Sequence, residues 1–139
     1  MSRVEENKIL AAASDNEFEF RWLMRSDYDH DFFKTLSGLT VVGDVTRENF
    51  EKHYDLMFPR RDDIYKIIVV IDRRNGKIIG AGTLVIELKF IRNLGICGHI
   101  EDIVVQSGFR GKQLGFRIID TLKKLSVVNS CYKVILDCD

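Results

Sequence analysis

Phe18, Phe20 and Trp22 alternate with Glu17, Glu19 and Arg21, the period-2 pattern of a strand with one buried face. The period then lengthens. Phe32, Phe33, Leu36 and Leu39 recur at helical spacing, and Ser26 or Asp27 upstream offers that predicted helix its N-cap. Gly38 and Gly43 loosen its end. Thr46 opens a second helix through Phe50, Tyr54 and Met57, and Pro59, the only proline, stops it. Tyr65 to Asp72 reads as a short, strongly β-branched strand, and Asn75-Gly76 after it is the strongest short hairpin signal. Lys77 to Phe90 returns as a long strand in which Gly80 and Gly82 mark a bulge or bend. A loop from Ile91 to Gly98 leads into a strand from Gly98 to Val105 and then a glycine-bearing turn. From about Gly111 to Asn129 the pattern is helical, with Leu114, Ile118, Ile119, Leu122 and Leu125 on one face. Tyr132 to Leu136 is a final strand.

This order predicts an α/β fold with a mixed, mostly antiparallel central sheet flanked by helices, ending in a strand-helix-strand crossover. At 139 residues the chain is long enough for one core and too short for two. The polar, acidic segment 1–16 reads as a flexible leader and 17–139 as the single domain. Lys plus Arg equals Asp plus Glu at 21 each, so no bulk field draws the chain to nucleic acid or membrane, and an anionic ligand must be held locally. Ile9 to Ala13 is too short and poorly flanked for a secretory core, and no apolar run reaches the roughly 20 residues of a membrane span. The expected location is cytoplasmic. Cys97, Cys131 and Cys138 form no C-x-x-C pair and read as free, buried thiols. His30, His53 and His99 lie far apart, so no metal is expected; His99-x-Glu101 echoes the start of a zinc deaminase signature whose P-C-x-x-C half is missing.

The informative chemistry starts at Ile103-Val104-Val105 and runs through Arg110-Gly111-Lys112-Gln113-Leu114-Gly115 at the start of a helix. A helix N-terminus offers unpartnered N–H groups and partial positive charge, so such a turn can cradle a pyrophosphate. Gly111 and Gly115 permit close approach, while Arg110 and Lys112 add charge. Neither G-x-x-x-x-G-K-[ST] nor G-x-G-x-x-G fits the glycine spacing, and an ordinary strand-to-helix turn with a charged lip fits it equally well. Glu101 and Asp102 are adjacent acids in an apolar strand, which point to opposite faces unless a bulge intervenes. Lys89 and Arg92, flanking Phe90 and Ile91, can grip a phosphate or be a solvated strand end. Asp137, ending the last strand, can accept a proton from an amine or be a solvated terminus. No nucleophile stands beside a base in the sequence, so direct transfer between two bound substrates fits better than a covalent intermediate.

These segments together resemble the GNAT acetyltransferases, and within them the eukaryotic glucosamine 6-phosphate N-acetyltransferases, from about Phe18 to Asp139. The resemblance rests on Leu39-Thr40-x-x-Gly43, Lys89-Phe90-Ile91, Gly98 to Val105, Arg110 to Gly115 and Cys131 to Asp139. It implies the GNAT, or acyl-CoA N-acyltransferase, fold, acetyl-CoA as co-substrate, glucosamine 6-phosphate as acceptor in UDP-GlcNAc biosynthesis, and a homodimer. It also implies that Ile103, Val104 and Val105 meet the acetyl-pantetheine arm through backbone groups, one of which polarises the thioester carbonyl. Arg110, Gly111, Lys112, Gln113, Leu114 and Gly115 would hold the pyrophosphate. Thr40, Lys89, Phe90, Ile91, Arg92, Glu101, Asp102, Tyr132 and Lys133 would surround the sugar phosphate. Asp137, with Glu101 and Asp102, would serve the catalytic step, with Asp137 helping to deprotonate the amine.

The chain departs from this pattern twice. The superfamily consensus wants glycine where Gln113 stands. Family members also continue into an Asn-x-x-x-Phe-Tyr helix and a last strand, bringing the tyrosine assigned to protonate the departing thiolate, so a C-terminally incomplete domain is expected. Two other readings stay open: a GNAT enzyme for another amine, such as a polyamine, a lysine side chain or an aminoglycoside, and a non-catalytic acyl-CoA-binding protein.

Overall fold

Five strands form one sheet in the order β1-β2-β3-β4-β5 in the computed structural model, which describes residues 3–137. The strands are β1 (Phe18–Trp22), β2 (Tyr65–Asp72), β3 (Lys77–Leu88), β4 (Ile96–Val105) and β5 (Lys133–Leu136). Neighbours are antiparallel except β4 and β5, which run parallel and are joined by the crossover helix α5 (Leu114–Val128). A parallel pair needs such a crossover, because its ends lie on opposite edges of the sheet.

β2 explains the three-layer packing. Its run Ile67 to Ile71 sends Ile68 and Val70 to one face and Val69 and Ile71 to the other, all four buried. On the first face they meet Phe18, Phe20, Leu84, Ile100 and the α5 stripe of Leu114, Ile118, Leu122 and Leu125. On the second they meet Phe32 of α2 (Phe32–Leu36) and Phe50 of α3 (Arg47–Met57). Thr46 caps α3 as the sequence implies, its hydroxyl accepting from the Asn49 N–H at 3.1 Å.

Two expectations need correction. The segment expected to be a flexible leader is, over Arg3–Ala13, a helix (α1) packed on β1 and α5. Leu10 joins the core, and the buried Glu6 pairs with the equally buried Lys66 of β2 at 3.1 Å while accepting from the Asn129 amide at 3.0 Å. Trp22 adds a hydrogen bond to Asn7, and the Arg3 guanidinium stacks over the indole at 4.4 Å. Met1 and Ser2 lie outside the described residues, as do Cys138 and Asp139.

The helix expected from Ser26 or Asp27 through Leu39 is instead a 3-10 turn over Arg25–Asp29, followed by the short α2. Asp27 is fully buried, and its carboxylate accepts two Arg21 N–H bonds at 2.9 Å and the Met24 N–H at 2.7 Å. It therefore locks a chain reversal rather than starting a helix, Asp31 turns left-handed at φ 66°, and Leu39 falls beyond the helix, exposed.

Candidate active site

β5 pairs with β4 only from Cys97 to Ile100, and Asp137 N–H closes the ladder on the Ile100 carbonyl at 3.0 Å. From Glu101 to Val105 that side of β4 has no strand neighbour among the described residues. A cleft of 580 Å³ opens here, lined by Leu39, Glu101, Asp102, Ile103, Ile119, Leu136 and Asp137.

A bulge shapes its floor. Thr83 pairs with Glu101 and Ala81 with Val104, so Asp102 and Ile103 together oppose Gly82. Asp102 absorbs the extra residue at φ 54°, which brings both adjacent acids to the cleft. Gly82 has no alternative: a Cβ there would lie 2.6 Å from Ile118 and 2.8 Å from Ile103. Sequence reasoning named the bulge as the condition for the acids to share a site, and the β4 backbone meets it.

The acids then couple. Burial, a hydrogen bond to Asp137 and the charges of Asp137 and Asp102 raise the Glu101 carboxyl above the ordinary glutamate range. His99, two residues earlier on the same face, lies 2.9 Å through Nε2 from Glu87 Oε1 and 3.7 Å through Nδ1 from Asp137 Oδ2. Lys89 Nζ sits 3.4 Å from the same Glu87 oxygen. The hydrogen bond from His99, followed by Lys89, holds the Glu87 carboxyl below its ordinary value. A continuous polar chain thus crosses three strands: Lys89, Glu87, His99, Asp137, Glu101. The isolated spacing of the histidines gave no sign of it, because His99 and Glu87 meet through strand register rather than sequence.

The other expected substrate residues do not line the cleft, and Tyr132 and Lys133 sit beside Ile96 and Cys97 at the opposite end of the β4–β5 ladder. Arg92 stacks over the Tyr132 ring at 5.4 Å, and Lys133 Nζ lies 5.7 Å from the same ring. This follows from α4 (Ile91–Leu94), a single turn whose Arg92, Asn93 and Leu94 are left-handed at φ 58°, 58° and 60°. Lys89 and Arg92 therefore face different partners, Glu87 and Tyr132. Phe90 and Ile91 are exposed at 92% and 63%, which makes them surface rather than cleft. Thr40 is exposed just beyond Leu39, in the loop after α2.

At the far end of β4, a 3-10 turn (Ser107–Phe109) is pinned by Phe109 against Phe18, edge to face at 5.9 Å. Gly111 follows at φ 88° and Gln113 at φ 58°, immediately before α5. The consensus glycine at position 113 thus has a physical reason, since the backbone there is left-handed and glutamine bears the strain. Nothing lies within 4 Å of where a Cβ would stand on Gly111 or Gly115, so the mouth of the turn is open to a ligand's phosphates. Arg110 is exposed, whereas Lys112 reaches Glu17 at 3.4 Å. Leu114 and Val104 are buried in the core, so they can serve a ligand only through their backbone. The residues present therefore fit a long ligand with a pyrophosphate at α5 and a reactive end at the bulge.

Known proteins match along this whole arrangement. The Acetyltransferase (GNAT) family model matches residues 18–139. The chain is 43% identical over 129 residues to glucosamine 6-phosphate N-acetyltransferase 1 of Dictyostelium discoideum, covering 93% of this chain and 81% of that protein. Over 121 residues it is 45% identical to the Arabidopsis thaliana glucosamine 6-phosphate N-acetyltransferase, covering 87% of this chain and 80% of that protein. The crystal structure of the Arabidopsis enzyme superposes with a TM-score of 0.83 at 44% identity, over 88% of this chain and 82% of that one. Matched in sequence from residue 18 onward and in its sheet by a solved relative, the chain belongs to the GNAT acetyltransferase family.

Proposed function

We propose that this protein transfers the acetyl group of acetyl-CoA to the amine of glucosamine 6-phosphate, giving N-acetylglucosamine 6-phosphate and CoA. The observation that carries this reading is the acid-lined cleft where β4 parts from β5, on the same strand that runs on into the open glycine turn of α5. The turn and the α5 N-terminus would hold the pyrophosphate, and the free side of β4 from Ile103 to Val105 would take the pantetheine arm. The bound thioester supplies the activated acetyl carbon. An N–H of the bulge would polarise its carbonyl. Asp137 and its partner Glu101 would accept the proton that an ammonium must lose before its lone pair can attack. Lys89, Arg92 and Lys133 would supply positive charge to the sugar phosphate.

The same reading extends to a homodimer, matching the exposed Leu88, Phe90, Ile91 and Leu94 that follow β3 in sequence. It also extends to a role in amino-sugar supply and to a cytoplasmic place; no helix of the described residues is long and apolar enough to cross a membrane.

One observation favours a second acceptor class. Three carboxylates and no lysine or arginine line the cleft itself, which suits a polycationic amine. Thiol release from acetyl-CoA, measured with glucosamine 6-phosphate, glucosamine and spermidine, separates the readings. Turnover confined to the phosphorylated sugar is expected. Preference for spermidine would transfer the assignment to a polyamine, and saturable acetyl-CoA binding without turnover on any amine would leave an acyl-CoA-binding protein.

A further inference from the structure

His99 is partly buried between two carboxylates on different strands, Glu87 of β3 and Asp137 at the end of β5. An ionised carboxylate has no proton to donate, so the 2.9 Å contact to Glu87 requires the proton of a neutral imidazole to sit on Nε2. Nδ1 is then a lone pair directed at Asp137. One ring nitrogen of His99 and one carboxylate oxygen each from Asp137 and Glu101 lie within 4.8 Å of one another. Among the described residues neither of these two acids is paired with a lysine or arginine. The titratable neighbours of the imidazole are Glu87 of β3 and Lys89 just beyond it, Cys97 and Glu101 of β4, and Asp137 just past β5. Three acceptors thus converge where an ammonium must shed a proton.

We propose that His99 is a positioning residue for Asp137, locked in its Nε2–H tautomer by Glu87 and receiving through Nδ1 the proton that Asp137 takes from the acceptor ammonium. The ammonium N–H bond breaks as an O–H bond forms on Asp137. That O–H breaks in turn as Nδ1–H forms. The products are a neutral amine with its lone pair free, an ionised Asp137, and an imidazolium held between two carboxylates. The present 3.7 Å separation closes by a small rotation of the half-exposed Asp137 side chain or by one bridging water. Turnover consequences rest on the acetyl-transfer reading above, whereas the state of the imidazole rests on geometry alone.

Two measurements test this on the full chain. In long-range proton–nitrogen spectra of the labelled protein, neutral His99 should show the Nε2–H tautomer, and Glu87→Ala, which removes the acceptor facing Nε2, should weaken that preference. An Nδ1–H tautomer, or a tautomer preference unmoved by Glu87→Ala, overturns the proposal whatever the acceptor amine. In kinetics, His99→Gln can still donate to Glu87 but cannot take up a proton. It should lower kcat about 10-fold or more near pH 7, with the deficit closing above about pH 9 where the amine is already neutral, and leave the acetyl-CoA KM unchanged. A deficit of equal size at every pH, or none, overturns the relay. If the wild type turned over no phosphorylated sugar while the spectra behaved as expected, the substrate assignment would fall and the His99 arrangement would stand.

Discussion

Asp102 holds a left-handed backbone that costs a residue with a side chain on the order of 1–2 kcal/mol, and the return on that strain is two acids in one cleft. The coupling has a stability consequence. Burial, then Asp137, raises the folded Glu101 carboxyl, so the native state binds a proton more tightly than the unfolded chain does. Stability therefore falls as pH rises through the window between the ordinary glutamate value and the raised one. Glu101→Gln should unfold at higher urea than wild type at neutral pH, with the two midpoints converging in acid; a constant offset across pH would contradict the coupling. At the other end of β4, the space over Gly115 is open, as the proposed phosphate cradle requires. Gly115→Trp should abolish acetyl-CoA binding by calorimetry with the circular dichroism unchanged, and retained affinity would remove the proposed cradle. Lys89 has a different duty. Its present partner is the exposed Glu87, a pairing of small energetic worth that a phosphate can displace. Lys89→Ala should raise KM for the sugar phosphate several-fold more than KM for acetyl-CoA, a split that initial-rate kinetics resolves.

Among the elements, β2 was legible because a run buried on both faces needs no knowledge of its partners, and α5 because its apolar stripe keeps a helical period. α1 was not. Its hold on the protein is a buried Glu6–Lys66 pair between a helix and a strand, which no local pattern announces in a segment otherwise polar. The helix expected at Asp27 failed for a related reason, since a distant-facing arginine on β1 claims the carboxylate that would have capped it. In the site, the acids and the glycine turn could be named from sequence and family resemblance. The bulge that joins Glu101 to Asp102, and the register that brings His99 to Glu87, are properties of paired strands and became visible only with the sheet. The bulge is testable as an element. Gly82→Ala places a methyl against Ile118 and Ile103, and should cost about 1–3 kcal/mol in denaturant unfolding while lowering acetyl transfer beyond what the lost stability explains. Wild-type stability in that variant would mean that the strand relaxes freely and that the bulge is not locked by packing.

For the whole molecule, net charge balance leaves apolar surface as the main driver of self-association. Phe90, exposed at 92%, lies in a patch with Leu88, Ile91 and Leu94. Sedimentation equilibrium at micromolar concentration should give about twice the 16.1 kDa chain mass, and Phe90→Asp should return it to one. A wild-type mass of one chain would remove the dimer from the reading. The clasp between α1 and α5 carries a different consequence, one of timing. Glu6 leaves a ribosome before its contact Asn129, which follows 123 positions later. At about 5–20 residues per second that is an interval of roughly 6–25 s, during which the first helix has been made and its berth has not. This early-made helix is thus among the last elements to settle, because the α5 surface it packs on emerges only near the end of that interval.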